Sequence, residues 1–253
     1  MKIKWLSTAL IILNLIFCTS TSEKIQQARE KNPRYHYNMG SFYLNNGNVN
    51  EAISHFQKSL SLSPNYFLAF NGLGLAYSMK GELEESAKYF QKCLTINPTF
   101  SEARNNLGMI YQEMGLLDKA EQEYRQAASD KNYSSRELPY YNLARLCLLQ
   151  EKSKEALDYV QMALQINKDM AMAYNLKGII NEKLENFDEA IASYLQALRI
   201  VPRDVYFNFN LAVAYFKNNE LKKAQEIFEE ISPRVTDPEM KDKINQYLKI
   251  IQK

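Results

Sequence analysis

The 253-residue chain carries 31 lysine and arginine residues against 29 aspartate and glutamate residues, a formal net charge of +2. Nucleic-acid-binding proteins usually carry a concentrated basic excess, whereas acidic and basic residues are mixed along this chain, so no nucleic-acid partner is predicted. Only 8 glycines and 7 prolines occur, and no stretch alternates apolar and polar residues between turn clusters. The composition therefore predicts an all-helical protein.

The N-terminus has the pattern of an export signal. Lys2 and Lys4 form a short basic start, and an apolar run follows that ends at Phe17. This run is shorter than the roughly 20 apolar residues that a membrane-spanning helix needs, and it has the length usual for the apolar part of a signal. Residues 1–17 are therefore predicted to form an export signal.

Cys18 lies where the apolar run gives way to a polar segment. The composition of residues 18–32 suits a flexible tether, with Cys18 as a candidate for lipid attachment. It also suits cleavage by the ordinary signal peptidase after Ser20 or Ser22, because small residues flank both positions. The residues themselves leave these two alternatives open.

Four columns of residues recur along the chain with a period of 34, and the first contains Gly40, Gly74 and Gly108. This period and these residue types resemble the tetratricopeptide repeat (TPR), a pair of antiparallel helices named A and B below. In this repeat, small residues let the helices approach closely, large side chains fill the space between them, and a glycine ends helix A. The other three columns are Gly47, Gly81 and Gly115; Tyr43, Tyr77 and Tyr111; and Phe56, Phe90 and Tyr124.

Extending the period predicts an all-α, six-repeat TPR superhelical solenoid with a C-terminal capping helix that covers the last exposed core face. In repeats four to six, Glu151, Glu185 and Asn219 replace the glycine after helix A, so softer helix boundaries are expected there. The repeats are predicted at residues 33–66, 67–100, 101–134, 137–170, 171–204 and 205–238, and the capping helix at residues 239–253.

Residue types that support catalysis or metal binding are scarce. His36 and His55 fall at or beside packing positions, and Cys93 and Cys147 fall in core columns of different repeats. Stacked helices lie about 8–10 Å apart, beyond the roughly 7 Å Cα separation that a disulfide tolerates, so both thiols are predicted to be free and buried. The sequence contains no phosphate-binding glycine loop and no paired-cysteine motif. A non-enzymatic protein that uses no metal or cofactor is predicted.

In this repeat type, the A helices line a groove with the residues at offsets two, five, nine and twelve. Here those residues are mainly apolar and aromatic, with asparagines and arginines among them, which predicts a protein or peptide segment as the ligand. The alternative for any one position is packing between helices. The candidate groove residues, called the helix-A face below, are Arg34, Tyr37, Leu68, Asn71, Leu75, Asn105, Met109, Tyr141, Arg145, Met172, Asn175, Ile179, Phe209, Val213 and Phe216.

Two stretches, SEARNNLGMIYQEMG in repeat three and NYSSRELPYYNLARLC after it, are similar to the type IV pilus biogenesis lipoproteins of the PilF, PilW and Tgl type. The resemblance implies an outer-membrane lipoprotein that acts as a pilotin, helping secretin subunits to reach the outer membrane and assemble there. It also implies a lipid on Cys18, although Phe17 stands where lipoprotein signals carry a small residue.

Two locations follow from these alternatives. With a lipid on Cys18, the protein would lie on the periplasmic face of the outer membrane, and with cleavage beyond Cys18 it would be soluble in the periplasm. The alternative function is that of a general periplasmic TPR assembly factor for another envelope complex or a respiratory complex.

Overall fold

The computed structural model describes residues 26–252, and both Cys18 and the predicted export signal lie outside this range. The described residues form helices and turns without any strand, so the all-helical prediction is confirmed for them. The α-helices are α1 (Pro33–Asn45), α2 (Val49–Leu62), α3 (Phe67–Met79), α4 (Leu83–Ile96), α5 (Ser101–Glu113), α6 (Leu117–Ser129), α7 (Glu137–Leu149), α8 (Ser153–Ile166), α9 (Ala171–Lys183), α10 (Phe187–Ile200), α11 (Val205–Lys217), α12 (Leu221–Ile231) and α13 (Pro238–Ile251). Residues 26–30 are also helical.

The described residues form two compact units, which divide between Met114 and Gly115. In the N-terminal unit, α1 packs against α2 and α3 against α4, and α2 and α3 join the two hairpins. In the C-terminal unit, the hairpins are α7 with α8, α9 with α10 and α11 with α12, and α13 packs on α12. Each unit is therefore a stack of helical hairpins in which every helix mainly contacts its neighbours in the chain.

Large rings of the B helices pack directly on glycines of the A helices. Phe56 is 1% exposed, and a Cβ atom on either Gly40 or Gly72 would lie within 2.6 Å of its ring. A Cβ atom on Gly178 would likewise lie 2.4 Å from the ring of Tyr194. Carbon atoms in contact are normally about 3.5–4.0 Å apart, so these rings occupy space that only glycine leaves free.

In the three repeats that lack the glycine after helix A, the turn between helix A and helix B keeps the left-handed backbone that glycine adopts in the other repeats. Glu151, Glu185 and Asn219 have φ angles of 62°, 60° and 62°, close to the 75° of Gly47. The softer helix boundaries expected there are not observed, because α7, α9 and α11 end at the same repeat position as α1 and α3.

Hydrogen bonds explain why the turn holds without glycine. At the end of α9, the N–H of Asn186 donates to the carbonyl of Asn181 at 2.9 Å, and the N–H of Glu185 donates to the carbonyl of Glu182 at 3.0 Å. This is the Schellman pattern, which uses carbonyl groups that the helix end would otherwise leave unpaired. The pattern therefore holds Glu185 in the left-handed conformation despite its side chain.

Glu185→Gly is expected to raise the free energy of unfolding by about 1 kcal/mol, because a side chain in the left-handed conformation costs about 1–2 kcal/mol and part of that gain is lost to the flexibility of glycine. Chemical denaturation followed by circular dichroism measures the change. Gly81→Ala is the matched reverse experiment, since no atom lies within 4 Å of an added Cβ there and φ is +76°. A loss of stability in Glu185→Gly would contradict the backbone argument.

Helix α13 covers the core of the last hairpin. Its N-cap is Asp237, whose side chain accepts a hydrogen bond from the N–H of Glu239 at 3.0 Å. Ile244 is fully buried, and the Tyr247 ring stacks on Phe228 with 5.1 Å between centroids. This helix therefore supplies the apolar contacts that a further repeat would otherwise provide.

Candidate functional site

In the N-terminal unit, the helix-A face is carried by α1, α3 and α5. Arg34 is exposed and the Met109 side chain is 40% exposed, whereas Asn71 and Asn105 are only 4% and 3% exposed. The remaining three predicted residues of this part of the face are half-buried: Tyr37, Leu68 and Leu75. The most accessible groups of this part are therefore a guanidinium and a thioether, with aromatic and aliphatic surface between them.

Asn71 joins two A helices of the N-terminal unit. Its side-chain amide nitrogen donates to the carboxylate of Glu102 at 3.2 Å, which links α3 to α5. Its amide oxygen is buried and has no hydrogen-bond partner among the described residues. Tyr37 packs nearby against Phe56 and Tyr66, and burial raises the pKa of its phenol, which therefore stays protonated at neutral pH.

In the C-terminal unit, the helix-A face is carried by α7, α9 and α11. Met172 is 56% exposed and Arg145 is exposed, with its guanidinium 5.8 Å from the centroid of the Tyr141 ring. Asn175 and Ile179 are half-buried, and the amide of Asn210 donates to the Asn175 side-chain oxygen at 2.9 Å. This hydrogen bond joins α9 to α11 across the face.

The last part of the face is partly covered by the capping helix. The rings of Phe209 and Phe216 lie 6.5 Å and 5.0 Å from the ring of Tyr247, and Val213 is 8% exposed. Phe209, Val213 and Ile179 nevertheless line an open cleft of about 470 Å³. Sequence reasoning missed Tyr247, because it assigned α13 only to capping.

A polar network that sequence reasoning also missed lies beside this cleft. The Tyr194 hydroxyl donates to one carboxylate oxygen of Glu182 at 2.6 Å, and Lys217 lies 2.9 Å from the other oxygen. Burial, followed by the nearby Glu182 charge, raises the pKa of Tyr194 far above its ordinary value, so the hydroxyl remains a donor. The signal in the sequence was the position of Glu182 at offset twelve of repeat five, where repeats one and four carry leucine.

Neither described cysteine has the environment of a reactive thiol. Cys93 and Cys147 are both free and buried, as predicted from their columns. Burial raises the pKa of Cys93 to about 12 and that of Cys147 to about 11. Both thiols are therefore protonated at neutral pH, and the thiolate that nucleophilic chemistry requires is scarce.

The two histidines form a pair within the N-terminal unit. Nδ1 of His36 lies 3.1 Å from Nδ1 of His55, and Nε2 of His36 lies 3.1 Å from the carbonyl oxygen of Glu30. The His55 ring stacks on Tyr43, and burial lowers the pKa of His55. Within residues 26–252, no group of three or more histidine, cysteine, aspartate or glutamate side chains is placed to hold a metal ion.

None of the helices in this same range combines the length and apolarity required to cross a membrane.

Family comparisons identify the repeats in the sequence. Residues 33–99 and 89–122 each match a family described as tetratricopeptide repeat. Residues 128–246 match the C-terminal ARM domain of tetratricopeptide repeat protein 21. A TPR repeat-containing protein of Methanocaldococcus jannaschii is 28% identical over 95 residues, which are 38% of this chain and only 17% of that relative.

Three solved structures share the fold over nearly their whole length and over most of this chain. PilF of Pseudomonas aeruginosa has a TM-score of 0.77 and 17% identity, with 87% of this chain and 99% of PilF covered. PilW, described as a widely conserved type IV pilus biogenesis factor, has a TM-score of 0.78 and 14% identity, with 84% and 97% covered. YrrB, described as a TPR protein with an unusual peptide-binding site, has a TM-score of 0.57 and 20% identity, with 76% and 97% covered.

At these identities, the structural likeness concerns the fold alone. The fold is that of repeats that serve as protein-interaction scaffolds. The family matches over residues 33–122, together with the stacked hairpins of each unit, show that this chain contains tetratricopeptide repeats.

Proposed function

We propose that the protein is a non-enzymatic scaffold of the cell envelope that serves type IV pilus biogenesis by assisting secretin subunits to reach the outer membrane and assemble. The observation that carries this proposal is the fold similarity to PilF and PilW, which covers nearly the whole of both proteins. A fold does not determine function, so the proposal also depends on the chemistry of the helix-A face.

The helix-A face supports the binding of a protein segment. Met109 and Met172 expose flexible, polarisable side chains, which suit adaptable apolar contacts. In the C-terminal unit, the side-chain amides of Asn175 and Asn210 lie on the same face as Met172, and a peptide backbone offers matching donors and acceptors. The proposed ligand is therefore an extended or helical segment of a secretin subunit.

A charged substitution on this face tests the proposal. Met109→Asp combined with Met172→Asp is expected to reduce co-purification of the secretin at least tenfold, because a carboxylate would be buried against the apolar ligand. Met162→Asp is the matched control, since Met162 is 43% exposed but lies on the B helix α8. Equal secretin recovery from the double variant and the control would show that the helix-A face does not bind the secretin.

Lipid attachment at Cys18 is the second part of the proposal, and it would place the repeats on the periplasmic face of the outer membrane. The intact mass of protein isolated from host membranes, measured beside Cys18→Ser, is the test. A diacylglycerol-sized addition that the substitution abolishes would support attachment. An unmodified chain that begins near Thr21 or Glu23 would instead indicate a soluble periplasmic protein.

The alternative is an assembly factor for another envelope or respiratory complex. The similarity to YrrB supports this alternative, because YrrB has the same fold and is described as a TPR protein with an unusual peptide-binding site, without mention of pili. Recovery of such a complex without any secretin in the co-purification above would favour the alternative.

A further inference from the structure

The cleft of the C-terminal unit combines an apolar floor with a basic rim. It has a volume of about 470 Å³ and lies among α9, α11 and α13. Ile179, Phe209 and Val213 form its floor, and Tyr247 from the capping helix closes one side. This shape could hold one or two apolar side chains of a bound segment, since clefts of about 300–1,000 Å³ typically hold small ligands.

Three lysines line the same cleft: Lys183, Lys217 and Lys243. Lys183 and Lys217 occupy the same position in consecutive repeats, in the last turn of α9 and of α11. A cation there favours the helix dipole, but the earlier repeats form the same helix end without lysine. The residues at this position in repeats one to four are Asn45, Met79, Glu113 and Leu149.

The positive charge of this rim is only partly neutralised. Glu182 is the acidic residue in the cleft lining, and its two oxygens are already used by Tyr194 and Lys217. Lys243 pairs with Glu239 at 2.7 Å, but that pair is exposed, and exposed ion pairs are weak because water screens them. Lys183 makes no ion pair within the described part of the chain. Lys183 and Lys243 are therefore available to a ligand carboxylate.

We propose that this cleft binds an acidic amphipathic segment of the partner protein, with carboxylates on the lysine rim and alternate apolar side chains on the floor. The inference rests on the proposed function, because it specifies the chemistry of the segment that the helix-A face binds. Charge complementarity of this kind strengthens binding at low ionic strength and fixes which segments are accepted.

Three labelled decapeptides test the proposal by fluorescence anisotropy. In the first peptide, three glutamates alternate with two leucines and a phenylalanine. The second peptide has glutamine in place of each glutamate, and the third has lysine in place of each glutamate. The protein is expected to bind the glutamate peptide about tenfold more tightly than the glutamine peptide at low ionic strength, with the difference shrinking as salt is added. Equal affinity for the glutamate and glutamine peptides would overturn the proposal.

A charge reversal locates the binding. Lys183→Glu combined with Lys243→Glu is expected to make the protein prefer the lysine peptide, a gain that a folding defect cannot produce. Lys154→Glu combined with Lys168→Glu is the control, since both lysines are exposed in the same unit but outside the cleft. An unchanged preference for the glutamate peptide in the cleft variant would also overturn the proposal.

The two proposals fail in different ways. If the wild-type protein co-purifies with a secretin and the cleft reversal leaves that recovery unchanged, this inference is overturned while the proposed function stands. If the peptide preference reverses as expected but no secretin is recovered, the cleft is supported and the pilus function is contradicted.

Discussion

Tyr194→Ala is expected to lower the free energy of unfolding of the C-terminal unit by about 4 kcal/mol, because truncation of a fully buried ring leaves a large cavity. Tyr194 is 0% exposed, and its ring lies where a Cβ atom on Gly178 would have to be. Chemical denaturation followed by circular dichroism measures the loss.

Tyr194→Phe separates the hydroxyl from the ring. This variant keeps the packing but removes the hydrogen bond to Glu182, whose side chain is 12% exposed. Hydrogen bonds to charged groups contribute about 1.5–3 kcal/mol, so a loss of about 2 kcal/mol is expected. If Tyr194→Ala were no more destabilising than Tyr194→Phe, the ring would not be a core element.

Gly74→Ala is expected to destabilise the N-terminal unit by about 2 kcal/mol. The added Cβ would lie 2.6 Å from the ring of Phe90, which is fully buried. Overpacking of this kind costs about 1–3 kcal/mol and outweighs the roughly 1 kcal/mol by which alanine favours a helix over glycine. The same denaturation measurement reports the change.

A second substitution should remove this penalty. Repeat four carries Ala144 where repeat two has Gly74, and it carries Val160 where repeat two has Phe90. Gly74→Ala is therefore expected to cost nothing in a Phe90→Val background, which gives a coupling energy of at least about 1 kcal/mol in the double-mutant cycle. An identical cost of Gly74→Ala in both backgrounds would refute steric contact as its cause.

The glycine and ring columns could be predicted from sequence because each reports a local steric requirement that recurs with the same residue types in repeats one to three. The three turns without glycine could not. Glu151, Glu185 and Asn219 adopt the left-handed conformation because hydrogen bonds at the end of helix A stabilise it, and these bonds depend on the backbone of the whole turn. The prediction of softer helix boundaries was therefore wrong, because it considered only the type of the residue that follows helix A.

The candidate site stays a prediction, and the exposure of its residues could not be predicted from their repeat positions. Offsets along helix A select a face, yet Asn71 is buried and bonded to Glu102 while Met172 is more than half exposed. The difference arises from the neighbouring A helices, which a repeat pattern does not describe. The lysine-rimmed cleft escaped prediction because Lys183, Lys217 and Lys243 meet only when α13 packs beside α9 and α11.

The most direct test of the account is the distribution of secretin between the two membranes in a host that lacks this protein. The proposed function predicts that secretin multimers leave the outer membrane in the deletion strain, return with the wild-type gene, and fail to return with Met109→Asp combined with Met172→Asp. Secretin multimers that remain in the outer membrane at wild-type levels after the deletion would contradict it.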